Sequence, residues 1–257
     1  MLDSLPKPID ALVVGASRGI GLALVRELLD SPAVGRVVAG ARSTESTPAF
    51  QALVQRHGDR LIGQGIDVCD PNSVAGAAET LRALGFRPRL VLHTAGILHE
   101  SGRGLAPEKR LEDIDGGAML RVFAINSIGP ALGLRHFLPL MPSDGKAVFA
   151  ALSARVGSIG DNRLGGWYAY RASKAALNQI LKTASIEARR RFANVIVAAL
   201  HPGTTDTDLS APFQANVPPE KLFAPQFVAR HLLQVIDGLE PADSGGFFAW
   251  DGQSIPW

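Results

Sequence analysis

The sequence contains a single cysteine, Cys69, among its 257 residues. One thiol excludes an internal disulfide framework and a zinc site built from several cysteines, so no metal is expected. Charge of one sign is not in excess either, because 26 Lys and Arg residues stand against 24 Asp and Glu residues. Nucleic acids and anionic membranes attract concentrated positive charge, so we expect neither as a partner.

Long apolar runs are also missing. A typical run, residues 195–200, spans about six residues, whereas a membrane-spanning helix needs about 20. Asp3, Pro6 and Pro8 precede the first apolar stretch, unlike the start of a secretory signal. With 46% hydrophobic residues the chain can bury a large core. These features predict a soluble, cytoplasmic protein.

Short apolar runs alternate with helix-length segments along the whole chain. The runs are continuous, which is typical of parallel strands covered on both faces. The pattern predicts an α/β fold: one domain, residues 1–257, with a doubly wound parallel sheet of about seven strands and helices on both faces. The predicted strands are 9–14, 34–39, 61–66, 89–93, 147–152, 195–200 and 246–250. The predicted helices are 19–29, 71–84, 114–138, 168–191 and 226–239.

Residues 210–225 differ from the rest of the chain, because they hold four prolines and no helical period. Sheets of this class bind ligands at the carboxyl ends of their strands, under such loops. We therefore predict a substrate loop or lid within residues 204–225. Its apolar side chains favour an apolar ligand over a phosphorylated sugar. They are Leu209, Pro212, Phe213, Val217, Leu222 and Phe223.

A glycine-rich turn, residues 15–21, joins the first predicted strand to the first helix. Gly15 permits a tight turn, Gly19 permits close approach to a pyrophosphate, and Gly21 permits close helix packing, as in Rossmann-type sheets. The alternative is an ordinary strand-to-helix turn. The pattern favours dinucleotide binding by Gly15, Ser17, Arg18, Gly19, Ile20 and Gly21.

The end of the second strand indicates which dinucleotide is bound. NAD-binding sheets place an acid there, whereas NADP-binding sheets supply arginine. This strand is followed by Arg42, and the next acid is Glu45. Arg18 and Arg42 are expected to flank a 2′-phosphate, unless both are ordinary surface arginines. The prediction is NADP(H).

Tyr170 and Lys174 lie four residues apart on a predicted helix, which places them on one face. A phenol with a pKa of ~10 is a poor acid-base catalyst near neutrality, and a neighbouring cation lowers that pKa. The alternative is an amphipathic helix whose lysine extends to solvent. Tyr168 is the rival phenol, but Ala172 stands four residues after it.

Several motifs occur in one order along the chain: the glycine-rich turn, residues 93–96, Asn126, Ser153, residues 170–174 and residues 201–203. Together they resemble the short-chain dehydrogenase/reductase family over essentially the whole chain. Residues 165–174 resemble the branch that contains the C-factor and sniffer-type carbonyl reductases.

The resemblance implies carbonyl reduction, with Tyr170 giving a proton to the carbonyl oxygen. With an apolar lid, the expected substrate is an apolar aldehyde, ketone or quinone. Lys174 would bind the nicotinamide ribose and lower the pKa of Tyr170, Ser153 would bind the substrate oxygen, and Asn126 would anchor a water relay. For Asn126 the alternative is a helix kink or cap. Further cofactor contacts are implied for Asp67, Val68, Thr94, Ala95, Gly96, Pro202, Gly203, Thr204 and Thr207, although Asp67 also suits the start of a turn.

The sequence departs from the family pattern after the fifth strand, where the usual second serine is Ala154. Adjacent strand residues face opposite ways, so Ser153 serves only if the strand end turns, and Ser158 is the substitute. His93 replaces an asparagine and is expected to be structural. The family often assembles as a homodimer or homotetramer through the helices holding Asn126 and Tyr170. The alternative function is an NADP(H)-binding sensor or signalling protein with little turnover.

Overall fold

The computed structural model describes residues 2–43 and 47–257. Its first half contains β1 (Ile9–Val14), α1 (Gly19–Asp30), β2 (Val34–Ala41), α2 (Pro48–His57), β3 (Leu61–Gly65), α3 (Pro71–Ala83) and β4 (Leu90–His93). Its second half contains α4 (Gly116–Phe123), α5 (Gly129–Phe137), β5 (Ala147–Leu152), α6 (Tyr168–Arg191), β6 (Val195–His201), β7 (Thr204–Thr205), β8 (Leu222–Phe223), α7 (Pro225–Gly238) and β9 (Phe247–Ala249).

Seven of the strands form one parallel sheet in the order β3-β2-β1-β4-β5-β6-β9. Successive strands are added on one side of β1 up to β3 and on the other side from β4 onward, so the strand order reverses between β1 and β4. The carboxyl ends of these two strands pair through Val14 and His93. A ligand crevice opens at such a switch point. The predicted doubly wound, single-domain Rossmann-type fold is confirmed, and the bounds 1–257 for the domain stay a prediction.

Both faces of the sheet are covered, which explains the continuous apolar runs. Ile9 and Val13 of β1 pack with α1 and α7, and Leu12 and Val14 pack with α3, α5 and α6. All four side chains are almost fully buried. Burial on two faces removes the polar alternation that a half-exposed strand shows.

Helix α2 is absent from the predicted elements. It begins after Thr47, whose side chain accepts a 3.3 Å hydrogen bond from the Phe50 amide, with Pro48 in the first turn. Only Phe50 and Leu53 among its residues are buried. So few buried positions produce little apolar period, and the Thr-Pro start was the available signal.

The predicted helix 114–138 is a continuous helical path that changes type. α4 leads into a π-helical turn, Ala124–Ile128, which leads into α5 and a 3₁₀ turn, Leu138–Leu140. Pro130 has no amide hydrogen, so it cannot make the α-helical bond to the carbonyl of Asn126. This missing bond accounts for a change of helix type at Asn126.

Residues 116–140 of this path are long and apolar enough, by length and composition alone, to cross a membrane. Ile125, Leu134 and Phe137 are nevertheless buried in the core beneath the sheet, and Asn126 and Ser127 are buried against α6. Packing inside the domain therefore accounts for the apolar composition of this segment.

Residues 204–225, predicted as an irregular loop, contain regular elements. β7 and β8 pair in parallel as a small second sheet. Between them lie two 3₁₀ segments, Ala211–Asn216 and Pro219–Lys221, each with a proline in its first turn. Short 3₁₀ turns have no long period, so a helical pattern could not reveal them.

Candidate active site

A cleft of about 950 Å³ opens at the carboxyl ends of the central strands. All the predicted cofactor-binding residues line it, and so do Ser153, Tyr170 and Lys174. Asn126 lies behind its wall, and Ser158 is not among the residues that line it. The tertiary structure thus gathers motifs that are far apart in sequence at one crevice.

The glycine-rich turn leaves no room for a side chain at Gly15 or Gly21. Gly15 and Gly19 have positive φ angles of +90° and +53°. A Cβ on Gly15 would lie 2.6 Å from the Ala95 nitrogen, and one on Gly21 would collide with the Gly15 carbonyl. Helix α1 follows with no side-chain cap and no acid in its first turn. Its positive pole faces the cleft, so the turn fits a pyrophosphate.

Thr94 supports this turn from below. Its Oγ1 donates a 2.8 Å hydrogen bond to the Val14 carbonyl, and it also lies 3.2 Å from the Gly15 carbonyl. A polar side chain after β4 therefore fixes the end of β1. This contact gives Thr94 a structural role beside its predicted role in cofactor binding.

Arg18 and Arg42 both line the cleft, as predicted. The Arg18 guanidinium makes a 3.0 Å ion pair with Asp208 of the lid segment, and both side chains are mostly exposed. Glu45, which entered the cofactor prediction, lies outside the described residues. Because the Arg18–Asp208 pair is exposed, it is weakly held and open to competition by an anion.

Asp67 fits the alternative role that its position suggested. Its carboxylate accepts a 2.9 Å hydrogen bond from the Cys69 amide, which closes a turn after β3. Arg121, which sequence reasoning missed, lines the same end of the cleft and pairs with Glu100 at 3.2 Å. No sequence motif marks Arg121.

Tyr170 and Lys174 stand one turn apart on α6. The Lys174 ammonium lies 5.7 Å from the centre of the Tyr170 ring and donates a 2.8 Å hydrogen bond to the Leu152 carbonyl. Burial raises the pKa of the Tyr170 phenol to about 12 and lowers the pKa of Lys174 to about 8. The expectation that the Tyr170 pKa is lowered was wrong for this structure, because desolvation disfavours the phenolate.

Asn126 is fully buried and joins two walls of the cleft. Its amide exchanges two 2.8 Å hydrogen bonds with the Ile97 backbone and donates one of 3.1 Å to the Ser173 hydroxyl on α6. Asn126 lies within the π-helical turn Ala124–Ile128, and its side chain holds the loop after β4 against α6. The water relay stays a prediction.

The two candidate serines differ in position. The Ser153 hydroxyl donates a 2.6 Å hydrogen bond to Asn178, and it can reach a substrate oxygen only by releasing that partner. Ser158 is fully buried, accepts a 3.1 Å bond from the Asp161 amide and does not line the cleft. Position favours Ser153, while Ala154 lines the cleft without a hydroxyl.

An aromatic cluster borders Tyr170. The Trp167 ring meets the Tyr170 ring edge-on at 6.2 Å and the Phe213 ring at 5.1 Å, and Phe213 also meets His99 at 5.8 Å. His99 lies 3.0 Å from the carbonyl of Asp208. The predicted lid segment thus contacts Trp167 at the start of α6. Sequence reasoning missed Trp167 and His99, although Trp167 stands inside the 165–174 motif.

His93 and His201 are the last residues of β4 and β6, near the site, and both imidazole rings are neutral. Burial, followed by repulsion from Lys174, lowers the pKa of His93 to about 3. Burial also lowers the pKa of His201 to about 4. Neither ring holds a proton near neutral pH. Within residues 2–43 and 47–257, no group of three or more His, Cys, Asp or Glu side chains is arranged to hold a metal ion.

Comparisons with known proteins agree with this geometry. The model of the short chain dehydrogenase family matches residues 10–218. The C-signal protein of Myxococcus xanthus is 40% identical over 147 residues, 57% of this chain and 83% of that protein. The 1-hydroxy-2-glutathionyl-2-methyl-3-butene dehydrogenase of Rhodococcus sp. (strain AD45) is 30% identical over 96% of this chain and 98% of that enzyme.

A solved structure shows the same fold. The NADPH-bound carbonyl reductase from chicken fatty liver superimposes with a TM-score of 0.85 and 28% identity, covering 99% of this chain and 97% of that one. The likeness to C-signal and to a carbonyl reductase agrees with the branch that residues 165–174 resemble. The chain is a member of the short-chain dehydrogenase/reductase family of oxidoreductases, which use a nicotinamide cofactor.

Proposed function

We propose that this protein is an NADP(H)-dependent reductase of small apolar aldehydes, ketones or quinones. The observation that carries the proposal is the position of Tyr170 and Lys174 on the wall of the cleft that the glycine-rich turn opens into. A proton donor, a cation and a pyrophosphate cradle then serve one ligand-binding crevice. This combination suits hydride transfer to a carbonyl.

In this proposal Tyr170 donates its phenolic proton to the carbonyl oxygen, and a nicotinamide held in the cleft would supply the hydride for the carbonyl carbon. One hydride and one proton convert the carbonyl to an alcohol. A pKa of about 12 keeps the Tyr170 phenol protonated at neutral pH, which suits the reducing direction. Lys174 binds the nicotinamide ribose, and Ser153 turns from Asn178 to hold the carbonyl oxygen.

NADP(H) is preferred to NAD(H) in this proposal because Arg18 and Arg42 line the cleft beside the glycine-rich turn. Guanidinium groups make strong, charge-assisted contacts with phosphate. The carbonyl reductase from chicken fatty liver, which shares the fold, has NADPH bound.

The substrate side is apolar. Phe213 of the lid segment packs on Trp167, which packs on Tyr170. A carbonyl compound placed against Tyr170 therefore meets the aromatic surfaces of Trp167 and Phe213. We propose that residues 204–225 act as the substrate lid.

The direct test is NADPH oxidation with a panel of aromatic aldehydes, ketones and quinones, in the wild type and Tyr170→Phe. Loss of the proton donor should lower kcat by about 100-fold or more while NADPH binding is retained. Tyr168→Phe, which removes the nearby phenol without a lysine partner, is the matched control and should keep activity.

A second candidate, an NADP(H)-binding signalling protein with little turnover, is favoured by the likeness to C-signal. NADPH binding with no turnover on any carbonyl in the panel would support this candidate and contradict the reductase. Fold alone does not decide between them.

A homodimer or homotetramer is proposed through the helices that hold Asn126 and Tyr170. Leu120, Ile128 and Ile186 on these helices are exposed large apolar side chains. Burying them against a second copy would remove apolar surface from water. The cytoplasmic location stays a prediction.

A further inference from the structure

Glu108 is a buried acid that the proposed chemistry does not use. It lies in the loop between β4 and α4, and only 5% of its surface is exposed. Its carboxylate accepts a 3.1 Å hydrogen bond from the Ala169 amide, and its backbone carbonyl accepts one of 2.5 Å from the Trp167 amide. Both donors belong to the start of α6, so this residue contacts the helix that carries Tyr170.

The start of α6 needs these acceptors. The first amides of a helix have no partner within the helix. Trp167, the N-cap residue, makes no side-chain cap. Glu108 therefore supplies from a distant loop the acceptor that a Ser, Thr or Asp cap normally supplies.

The backbone leading into α6 is strained. Gly165, Gly166 and Trp167 are three consecutive residues with positive φ angles, of 64°, 65° and 53°. This conformation is unfavourable for a residue with a side chain, so Trp167 needs support from its surroundings. The backbone carbonyl of Glu108 accepts from the Trp167 amide, a contact that any residue at position 108 can make. The part that depends on the glutamate side chain is the hydrogen bond from the Ala169 amide to its carboxylate.

Trp167 and Tyr170 both depend on this arrangement. The Trp167 ring packs edge-on against Tyr170 and against Phe213 of the lid. Tyr170 directly follows Ala169, whose amide is bonded to Glu108. A shift at the start of α6 would therefore move the proton donor and the aromatic wall together.

We propose that Glu108 is a positioning residue, which fixes the start of α6 and so the places of Tyr170 and Trp167. The proposal rests on the proposed function, in which Tyr170 is the proton donor. The length of the Glu108 side chain matters here rather than its charge, because its carboxylate serves as a hydrogen-bond acceptor for one backbone amide.

Three substitutions separate the effect of side-chain length at position 108 from the effect of its charge. Glu108→Gln keeps the length and an acceptor oxygen but loses the charge. Glu108→Asp keeps the charge but is one methylene shorter and falls out of hydrogen-bonding range. Glu108→Ala loses both. Glu112→Ala, which removes an exposed acid four residues further on, is the matched control.

Arg171 helps these variants to fold. Its guanidinium donates to the Gly165 and Gly166 carbonyls at 3.2 and 2.9 Å. The loop before α6 therefore keeps its hydrogen bonds to Arg171 when the Glu108 carboxylate is lost.

The first readout is hydrogen exchange of the Ala169 amide, followed in a peptide that covers residues 166–172. Exchange should be about tenfold faster in Glu108→Ala and Glu108→Asp and unchanged in Glu108→Gln and Glu112→Ala. Exchange in β1 and β5 should not change in any variant. Equal exchange of Ala169 in the wild type and Glu108→Ala would overturn the proposal.

The second readout is the steady-state reduction of 4-nitrobenzaldehyde by NADPH. We expect kcat to fall about tenfold in Glu108→Ala and Glu108→Asp, since the donor is misplaced, with NADPH affinity unchanged and Glu108→Gln close to the wild type. Glu108→Asp behaving like the wild type, with Glu108→Gln impaired, would show that charge matters and overturn the proposal. A wild type that reduces no carbonyl contradicts the proposed function instead, and the exchange experiment is still informative.

Discussion

The Lys174 ammonium lies 5.7 Å from the centre of the Tyr170 ring and donates its hydrogen bond to the Leu152 carbonyl at 2.8 Å. The main-chain oxygen of Leu152, at the end of β5, thus positions the lysine. The phenol stands beside the lysine, and their placement requires no hydrogen bond between the two side chains. Their different pKa values, about 12 and about 8, follow from the same cause, which is burial. Burial keeps both groups in their uncharged forms over a wider pH range.

The pH dependence of carbonyl reduction should follow the loss of the proton from Lys174. Its pKa is lowered to about 8, so it loses its charge as the pH rises through that value, while Tyr170 stays protonated up to about 12. We expect kcat/KM for carbonyl reduction to fall above about pH 8. In Lys174→Arg the charge persists, so any remaining activity should show no fall near this pH. An unchanged alkaline limb in Lys174→Arg would contradict this assignment.

Cofactor preference should depend on Arg42. Replacing it with alanine removes the guanidinium that we propose contacts the 2′-phosphate, so KM for NADPH should rise about ten- to hundredfold, while KM for NADH changes little. Arg163→Ala, at an exposed position outside the cleft, should change neither value. Equal losses with both cofactors would contradict a phosphate-specific role.

Asp208 should weaken NADPH binding, because its carboxylate pairs with Arg18 at 3.0 Å. Asp208→Asn leaves the guanidinium free for a phosphate. The affinity for NADPH measured by fluorescence titration should increase about two- to fivefold, the range of an exposed ion pair. The affinity for NADH is the internal control and should stay the same. Weaker binding of NADPH by this variant would show that Asp208 helps rather than competes.

Alanine substitution of Ser153 and of Ser158 should affect kcat and thermal stability differently. Ser153→Ala removes the hydroxyl on the cleft wall and should lower kcat about tenfold. Ser158→Ala removes the acceptor of a buried turn and should lower the thermal midpoint with kcat nearly kept. Steady-state rates and thermal unfolding of both variants decide the question. A large kcat loss only in Ser158→Ala would show that Ser158 supplies the catalytic hydroxyl.

Stability at acid pH should depend on His93, whose pKa is lowered from 6.5 to about 3. Between these values the unfolded chain binds a proton that the folded chain does not bind, so the free energy of unfolding falls as the pH falls. His93→Asn removes this proton-binding group. Urea unfolding at about pH 7.5 and about pH 5 should show a smaller loss of stability in the variant than in the wild type. Equal losses would contradict the burial of a neutral His93.

Local patterns were sufficient for much of the fold and the site. Continuous apolar runs predicted the strands, and the spacing of Gly15, Gly19 and Gly21 predicted a phosphate cradle. The four-residue separation of Tyr170 and Lys174 predicted their common face. Each of these features depends on residues near one another in sequence, where backbone geometry alone relates spacing to direction.

Other features depend on contacts between distant segments. Helix α2 buries too few residues to show a period, and Arg18 meets Asp208 across 190 positions of sequence. The direction of the Ser153 hydroxyl depends on Asn178, and the start of α6 depends on Glu108. No local pattern contains such pairs.

The seven strands of the main sheet, the glycine cradle and the Tyr170–Lys174 pair are properties of the amino-acid sequence by itself, because short-range sterics and apolar periodicity determine them. Which serine lines the cleft, which acid caps α6 and how far burial raises the pKa of Tyr170 were decided only by the tertiary structure. The physical reason is that desolvation and hydrogen-bond partnership are set by what packs around a group, and here those neighbours come from segments far away along the chain.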